Sequence, residues 1–314
     1  MSFNKIFFGF LILTFSAFSQ YGGFAGSYSR LGTSAFSVSV GNAVMSNAKY
    51  ISNGIANPAL LPFMNKTNIS ATTNFLSLDR KLFNFGFSKN IKPSAGFGIT
   101  AIVSSTNKID GRDNDGFHTE DYSITEQQYI LSFGNKIGKN FSVGMNAKIF
   151  YAKLFEELTS TTVGFDFGTL YKINSTTFVA FVIKDINSSY KWDTSNLYNE
   201  SGNSTDNIFP TLNNFSITKL FLDEKLIVSA EVEKSSLIKN YIFRTGASFE
   251  INKILKLQTG FDRITFEKNN YLTFSGGFII NFEDFVKDLS LEYSFGNEPF
   301  NLFSRHVLTI NYNL

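Results

Sequence analysis

"FSVGMNAKIFYAKL", residues 141–154, alternates without a fault. Phe141, Val143, Met145, Ala147, Ile149 and Tyr151 fall on one face, and Ser142, Gly144, Asn146 and Lys148 on the other. A period of two is the period of a β-strand, whose successive side chains point to opposite sides of the sheet. The run is longer than the roughly 5–6 residues usual in soluble strands. It exceeds the roughly 9–11 residues with which a tilted strand crosses a bilayer. One face is apolar and the other is Gly, Ser, Asn and Lys, as expected of a transmembrane barrel with lipid outside and a polar lumen inside.

The same pattern recurs to the C-terminus. In "TTVGFDFGTLYKI" (161–173), Val163, Phe165, Phe167, Tyr171 and Ile173 oppose Gly164, Asp166, Gly168 and Lys172. In "LTINYNL" (308–314), Leu308, Ile310, Tyr312 and Leu314 oppose Thr309, Asn311 and Asn313. Strands are expected near 67–77, 81–89, 95–104, 126–135, 139–152, 159–173, 177–184, 210–220, 225–234, 241–252, 255–263, 269–282, 286–296 and 303–314. That is fourteen, an even number, as bacterial single-chain barrels have. Connection lengths support the assignment. With a periplasmic N-terminus, every even connection ("NIKPS", "NKIGK", "NST" and their successors) is short, and the two long ones, 105–125 and 185–209, are odd. Outer-membrane barrels have short periplasmic turns and longer external loops, a parity that a soluble β-sandwich does not predict.

Composition agrees. Charged residues are 17% of the 314, aromatics 16%, and 37 residues are Phe, while net charge is only +2. The charge gives no nucleic-acid signal. The absence of cysteine excludes disulfides and thiolate chemistry, and with only His118 and His306 there is no helical zinc motif. The N-terminal "MSFNKIFFGFLILTFSAFSQ" has a basic start at Lys5, an apolar stretch over 6–15 and a small-x-small site at Ala17-Phe18-Ser19, so residues 1–19 read as a cleaved signal peptide. Residues 20–66 do not alternate, yet are too apolar for disorder. They read as a compact plug inside the lumen, and residues 67–314 as the barrel.

"ANPALLPF" (56–63) carries two of the five prolines. Proline has no ladder N–H, so no membrane strand runs through Pro58 or Pro62. The stretch marks the join between plug and wall, at the periplasmic mouth. Asn57 can bond backbone there, and Leu60 and Leu61 can pack the base of the plug.

"GNAVMSNAKYISNGIANPALL" (41–61) resembles the N-terminal segment of the FadL-like superfamily of fourteen-stranded outer-membrane barrels, whose N-terminal hatch contains an Asn-Pro-Ala motif. Within it the chain is similar to the PorV/PorQ family of Bacteroidota-type bacteria. Arg30-Leu31-Gly32, Gly41-Asn42-Ala43 and Asn57-Pro58-Ala59 stand in that order, followed by "LDRKL" (78–82), "IDGRDNDG" (109–116) and "KWDTS" (191–195). The resemblance implies an accessory or docking subunit of an outer-membrane machine, type IX protein secretion foremost. Its partners would be other secretion proteins. The alternative within the superfamily is a transporter of hydrophobic small molecules. Tyr190, Trp192 and Asp193 are candidate partner contacts, since aromatic anchors dominate interfaces; a membrane-surface girdle is the other reading of Trp192.

No constellation suggests an enzyme: Ser304 and His306 share a strand face, but no positioned acid accompanies them. In "DGRDNDGFHTED", Asp110, Asp113, Asp115 and Glu120 are candidate calcium ligands, because calcium takes several carboxylate and carbonyl oxygens. EF-hand spacing is not met, and a solvated hairpin tip is the bland alternative. Lys148, Asp166 and Lys172 face the lumen, as do Glu231 and Arg263 by parity; they would pair with Arg30 and Lys49 of the plug, and the other reading is that they line a water path. The alternating C-terminal strand, with Tyr312 and the terminal Leu314, resembles the signal that outer-membrane assembly machinery reads.

Overall fold

A computed structural model describes residues 24–50, 54–155, 158–195, 202–265, 272–282, 286–298 and 304–314. The expected signal peptide lies outside the described residues. Among the described residues no helix is long and apolar enough to cross a membrane.

Among the described residues sixteen strands form, and fourteen of them close into one antiparallel barrel. In chain order these are β1 (Asn68–Phe75), β2 (Arg80–Ile91), β3 (Ala95–Arg112), β4 (His118–Ile137), β5 (Phe141–Phe155), β6 (Leu158–Asn174) and β7 (Thr177–Ile186). They continue as β10 (Leu212–Phe221), β11 (Leu226–Ser235), β12 (Tyr241–Glu250), β13 (Leu255–Ile264), β14 (Thr273–Asn281), β15 (Leu289–Asn297) and β16 (Ser304–Asn313). β1 pairs with β16 to close the wall, Asn68 opposite Asn313 and Phe75 opposite His306. Thr67 and Leu314 exchange both backbone hydrogen bonds at the seam. Closure satisfies every strand edge internally, the only way a sheet can live in hydrocarbon.

The alternation sorts the faces as expected. Phe133, Leu131, Ile149, Phe167, Ile310 and Tyr312 are exposed on the outside, while Ser142, Asn146, Thr309 and Asn311 are buried inside. The outward row is the surface for lipid.

The two long connections are not loops. β3 and β4 stay paired far beyond the barrel, out to Arg112 opposite His118, with register shifts between Thr106 and Ile109 and between Asp110 and Arg112. The second connection folds a hairpin of its own, β8 (Ser189–Asp193) with β9 (Ser204–Ile208). The β3–β4 extension does not alternate cleanly, and the alternation of Ser189–Asp193 is only five residues long, too short to stand out by period.

Among the register shifts in the wall, two bring charged side chains into the lumen. On β7, Phe165 and Phe167 of β6 face Ile186 and Ile183, which leaves an extra residue between them, and Asp185 has φ 59°. On β13 the register slips beside Phe243 and Thr245, and Arg263 has φ 59°. A bulge re-aims side chains, and here it turns Asp185 and Arg263 into the lumen beside Asp262, which the alternation of β13 already places there; all three are buried. Arg263 faces the lumen as expected, but the bulge and not parity puts it there, because strict alternation after the inward Asp262 would send it out.

Residues 24–50 and 54–64 pack against the inward face of the wall. A short helix α1 (Ala35–Ser39) is capped by Ser34, whose Oγ accepts from Ser37 N while Ser37 Oγ accepts from Ser34 N, a reciprocal cap. Wall side chains hold its N-terminus: Ala35 N donates to Thr309 Oγ1 at 2.8 Å and Phe36 N to Glu292 Oε2 at 3.1 Å. Pro58–Phe63 forms a 3-10 turn. Asn57 caps it by accepting from Ala59 N at 2.9 Å and reaches the wall by donating to Thr169 O at 3.1 Å.

Candidate functional site

The lumen is where chain segments of different origin meet. Four glycines stand in register across β3–β6: Gly96 opposite Gly134, Gly134 opposite Gly144, and Gly144 opposite Gly168. A Cβ at Gly134 would lie 2.3 Å from Pro58 O, at Gly144 2.5 Å from Pro58 C, and at Gly168 2.1 Å from Asn57 Oδ1. The row is a cradle for the Asn57-Pro58-Ala59 backbone. Ser142 Oγ donates to Ala59 O at 2.7 Å, and Asn90 Nδ2 donates to Pro62 O and Met64 O. Leu60 packs on Leu170, Phe178, Ala180 and Leu220.

A second seat lies across the lumen. Gly41, with φ 61°, sits so close to Phe261 that a Cβ would be 2.4 Å from its carbonyl oxygen. Gly246 and Gly260 leave room for Val40. Asn42 Nδ2 donates to Asp262 Oδ2 at 3.0 Å. The wall therefore grips residues 40–42 on one side and 57–64 on the other.

Between the two seats the lumen is charged. Lys148 Nζ lies 2.5 Å from Asp166 and 2.8 Å from Asp185, all three nearly inaccessible. Arg244 meets Glu231 at 3.1 Å, Glu233 at 3.0 Å and Asp262 at 2.7 Å. Both groups line a cavity of about 80 Å³, with Arg30, Lys184 and Gln128. Arg30 also donates to Ala25 O at 3.0 Å. Lys49 leaves the lumen and pairs with Glu224 at 2.5 Å, and Lys172 sits half-buried near the periplasmic mouth. That mouth opens as a vestibule of about 490 Å³ beneath the stacked rings of Phe36 and Tyr50, with centroids 3.7 Å apart.

The external end is closed by rings. Tyr190, Trp192 and Phe209 of the β8–β9 segment pack on Phe150 and Ala152. Tyr190 donates to Glu126 at 3.0 Å. Burial pushes the phenols of Tyr28 and Tyr190 far above their ordinary value, so both stay neutral. Tyr190 and Trp192, expected at a partner surface, are turned inward at 3% and 7% exposure. The hairpin folds back over the mouth, where burying the rings on Phe150 outweighs leaving them in water. Asp193 alone of that trio is exposed, and it accepts from Ser195 Oγ at 2.6 Å.

The four expected calcium ligands are not gathered. Asp113 Oδ1 caps its own turn, accepting from Asp115 N and Phe117 N. Glu120 accepts from Tyr122 Oη at 2.8 Å, and Asp115 is exposed. The register instead brings Asp110, His118 and Asp121 together, one ligand atom from each within 4.8 Å of the others. That trio could hold a metal. Arg112 and His118 already engage Asp110, at 2.6 and 2.7 Å. His306 pairs with Tyr293 Oη at 2.7 Å on the outside of β15–β16.

On the lipid side, β4–β6 carry an apolar groove of about 200 Å³. Ile99, Tyr129, Leu131, Ile149, Val163 and Phe165 surround it where Ala147 is too small to fill the row. Ile130 and Lys148, which line the lumenal cavity, also back this groove. Sequence alternation showed the wall, but not that one small residue in it leaves a dent.

No protein-family model matches the chain, and no curated protein matches it in sequence. Solved structures do match. The Ralstonia pickettii toluene transporter TbuX has a TM-score of 0.64 at 11% identity, covering 90% of this chain and 99% of that one. The CymD monoaromatic hydrocarbon channel has a TM-score of 0.67 at 11% identity, over 90% and 97%. A Pseudomonas aeruginosa FadL homologue has a TM-score of 0.60 at 12% identity, over 90% and 98%. The chain shares the fourteen-stranded FadL-type barrel fold.

Proposed function

We propose that this barrel lets small apolar molecules cross the outer membrane, and that they use its wall near β4–β6 rather than the length of its lumen. The contrast between the two sides of that wall carries the reading. The mid-lumen holds paired charges around a cavity of about 80 Å³, whereas the outer groove is lined by aliphatic and aromatic side chains. An apolar solute gains by contact with the second and would have to strip the first of its partners. The fold shared with barrels described as toluene and monoaromatic-hydrocarbon transporters supports the solute class. The test is uptake of toluene, read by an intracellular sensor, in cells without an apolar-solute channel of their own. Faster uptake with this protein than with an empty vector supports the proposal, and equal uptake refutes it.

A second reading, an accessory subunit of type IX secretion, rests on the PorV/PorQ resemblance. With Tyr190 and Trp192 turned inward, its exposed external surface is the β3–β4 hairpin, whose tip shows Phe117 at 71% exposure. Isolation in mild detergent separates the readings: a large complex favours the subunit, and a monomer with apolar ligand favours the transporter.

A further inference from the structure

The short-turn end of the barrel is unevenly charged. On the β10–β15 side and at the β1 join, carboxylates balance lysines. Lys49 pairs with Glu224, Lys256 with Glu250, and Lys66 with Asp288. The three turns joining β2 to β3, β4 to β5 and β6 to β7 differ. Residues 88–94, 135–140 and 171–176 hold Lys89, Lys92, Lys136, Lys139 and Lys172, and no carboxylate. Among the described residues none of these five ammonium groups has a hydrogen bond or ion pair; Lys136 alone has a ring contact, 4.3 Å from the centroid of Phe63. Lys89, Lys92 and Lys139 are exposed.

Each of the three turns also carries one exposed isoleucine, Ile91, Ile137 or Ile173, at about half exposure. These continue the outward rows of their strands, Phe83 and Phe85 on β2, Leu131 and Phe133 on β4, and Phe167 and Tyr171 on β6. The rows face lipid, so the isoleucines sit where acyl chains end and the lysines where headgroups begin. Long basic side chains at that depth lay their stems on apolar surface and keep the charge at the headgroups. Because short turns face the periplasm, the leaflet concerned is the inner one.

We propose that this basic crescent, centred on Lys89, Lys92 and Lys139, binds the phosphates of anionic phospholipids in the periplasmic leaflet. An acidic periplasmic protein would use the same charges, but the outward-facing isoleucines favour lipid. The inference is independent of what crosses the wall.

The experiment reconstitutes the full barrel in nanodiscs of phosphatidylethanolamine with a minor fraction of phosphatidylglycerol, then quantifies the lipid that stays with the protein in detergent. Each basic side chain near an anionic surface contributes on the order of a fivefold preference. Phosphatidylglycerol should therefore be enriched about fivefold or more around the wild type. The enrichment should fall to the bulk ratio in K89Q/K92Q/K139Q and persist in K89R/K92R/K139R. Heat-resistant migration of both variants verifies a closed barrel, and loss of enrichment in the wild type at high salt supplies the same test should the Gln variant not fold. No enrichment in the wild type, or full enrichment in the folded Gln variant, overturns the proposal. Binding of soluble polyglutamate without lipid enrichment also overturns it and assigns the crescent to an acidic protein.

Discussion

Gly134 and Gly144 face each other across β4 and β5, and the Pro58 peptide occupies the space that their side chains would take. Alternation places Gly144 and Gly168 on the inward face of their own strands. It did not show that four inward glycines align into one cradle, because register is a property of pairs of strands.

A side chain at Gly144 must therefore displace the plug. G144V places its Cβ only 2.5 Å from Pro58 C, and backbone cannot yield as a flexible side-chain tip would. Overpacking costs about 1–3 kcal/mol. The expected outcome is faster amide exchange over 57–64, with strand exchange in β9–β13 unchanged. Unaltered exchange over 57–64 would show that the cradle does not hold the turn.

Asn57 is buried, accepts from Ala59 N, and donates to Met45 O and Thr169 O. N57A leaves those groups unsatisfied, at roughly 1–3 kcal/mol each where they are fully desolvated. N57D keeps the cap but loses both donations. Exchange at residue 59 should rise in N57A and stay near wild type in N57D.

Lys148 holds Asp166 and Asp185 together in the lumen. K148M leaves two buried carboxylates without their cation, a change that costs about 3–5 kcal/mol in comparable cases. Barrel melting followed by heat-modified migration should drop for K148M, and adding D166N and D185N should recover much of the loss. Lys184-Asp185 and Asp262-Arg263 are adjacent charged pairs inside alternating strands. That break in period is the sequence signal for both bulges.

Trp192 is the sole tryptophan and lies among Phe150, Tyr190 and Phe209. Its emission should be blue-shifted and resist aqueous quenchers. Red-shifted, freely quenched emission would return it to an exposed contact surface. The sequence showed an aromatic-rich segment, but aromatic composition suits an interface, a girdle or a buried cap equally, and only the fold-back of β8–β9 decides.

At the external hairpin tip, the Asp110 hydrogen bond holds the His118 pKa above 6.5, and His118 and Arg112 hold Asp110 below 3.8. A raised histidine pKa contributes order that is full below its ordinary value and lost as pH rises through the raised one. A lowered carboxylate contributes order that is present above its ordinary value and lost as pH falls through the lowered one. Amide protection at the tip, corrected for the pH dependence of intrinsic exchange, should thus be greatest between the two and fall in alkali and in strong acid. H118A should abolish the alkaline limb.

The most direct measurement is toluene uptake in cells producing wild type or A147W, in which the new ring fills the groove on β4–β6. The wall route requires that wild type speed uptake over the empty vector and that A147W, folded and present in equal amount, return it to the vector's level. Wild-type uptake no faster than the vector, or A147W as fast as wild type, would contradict it.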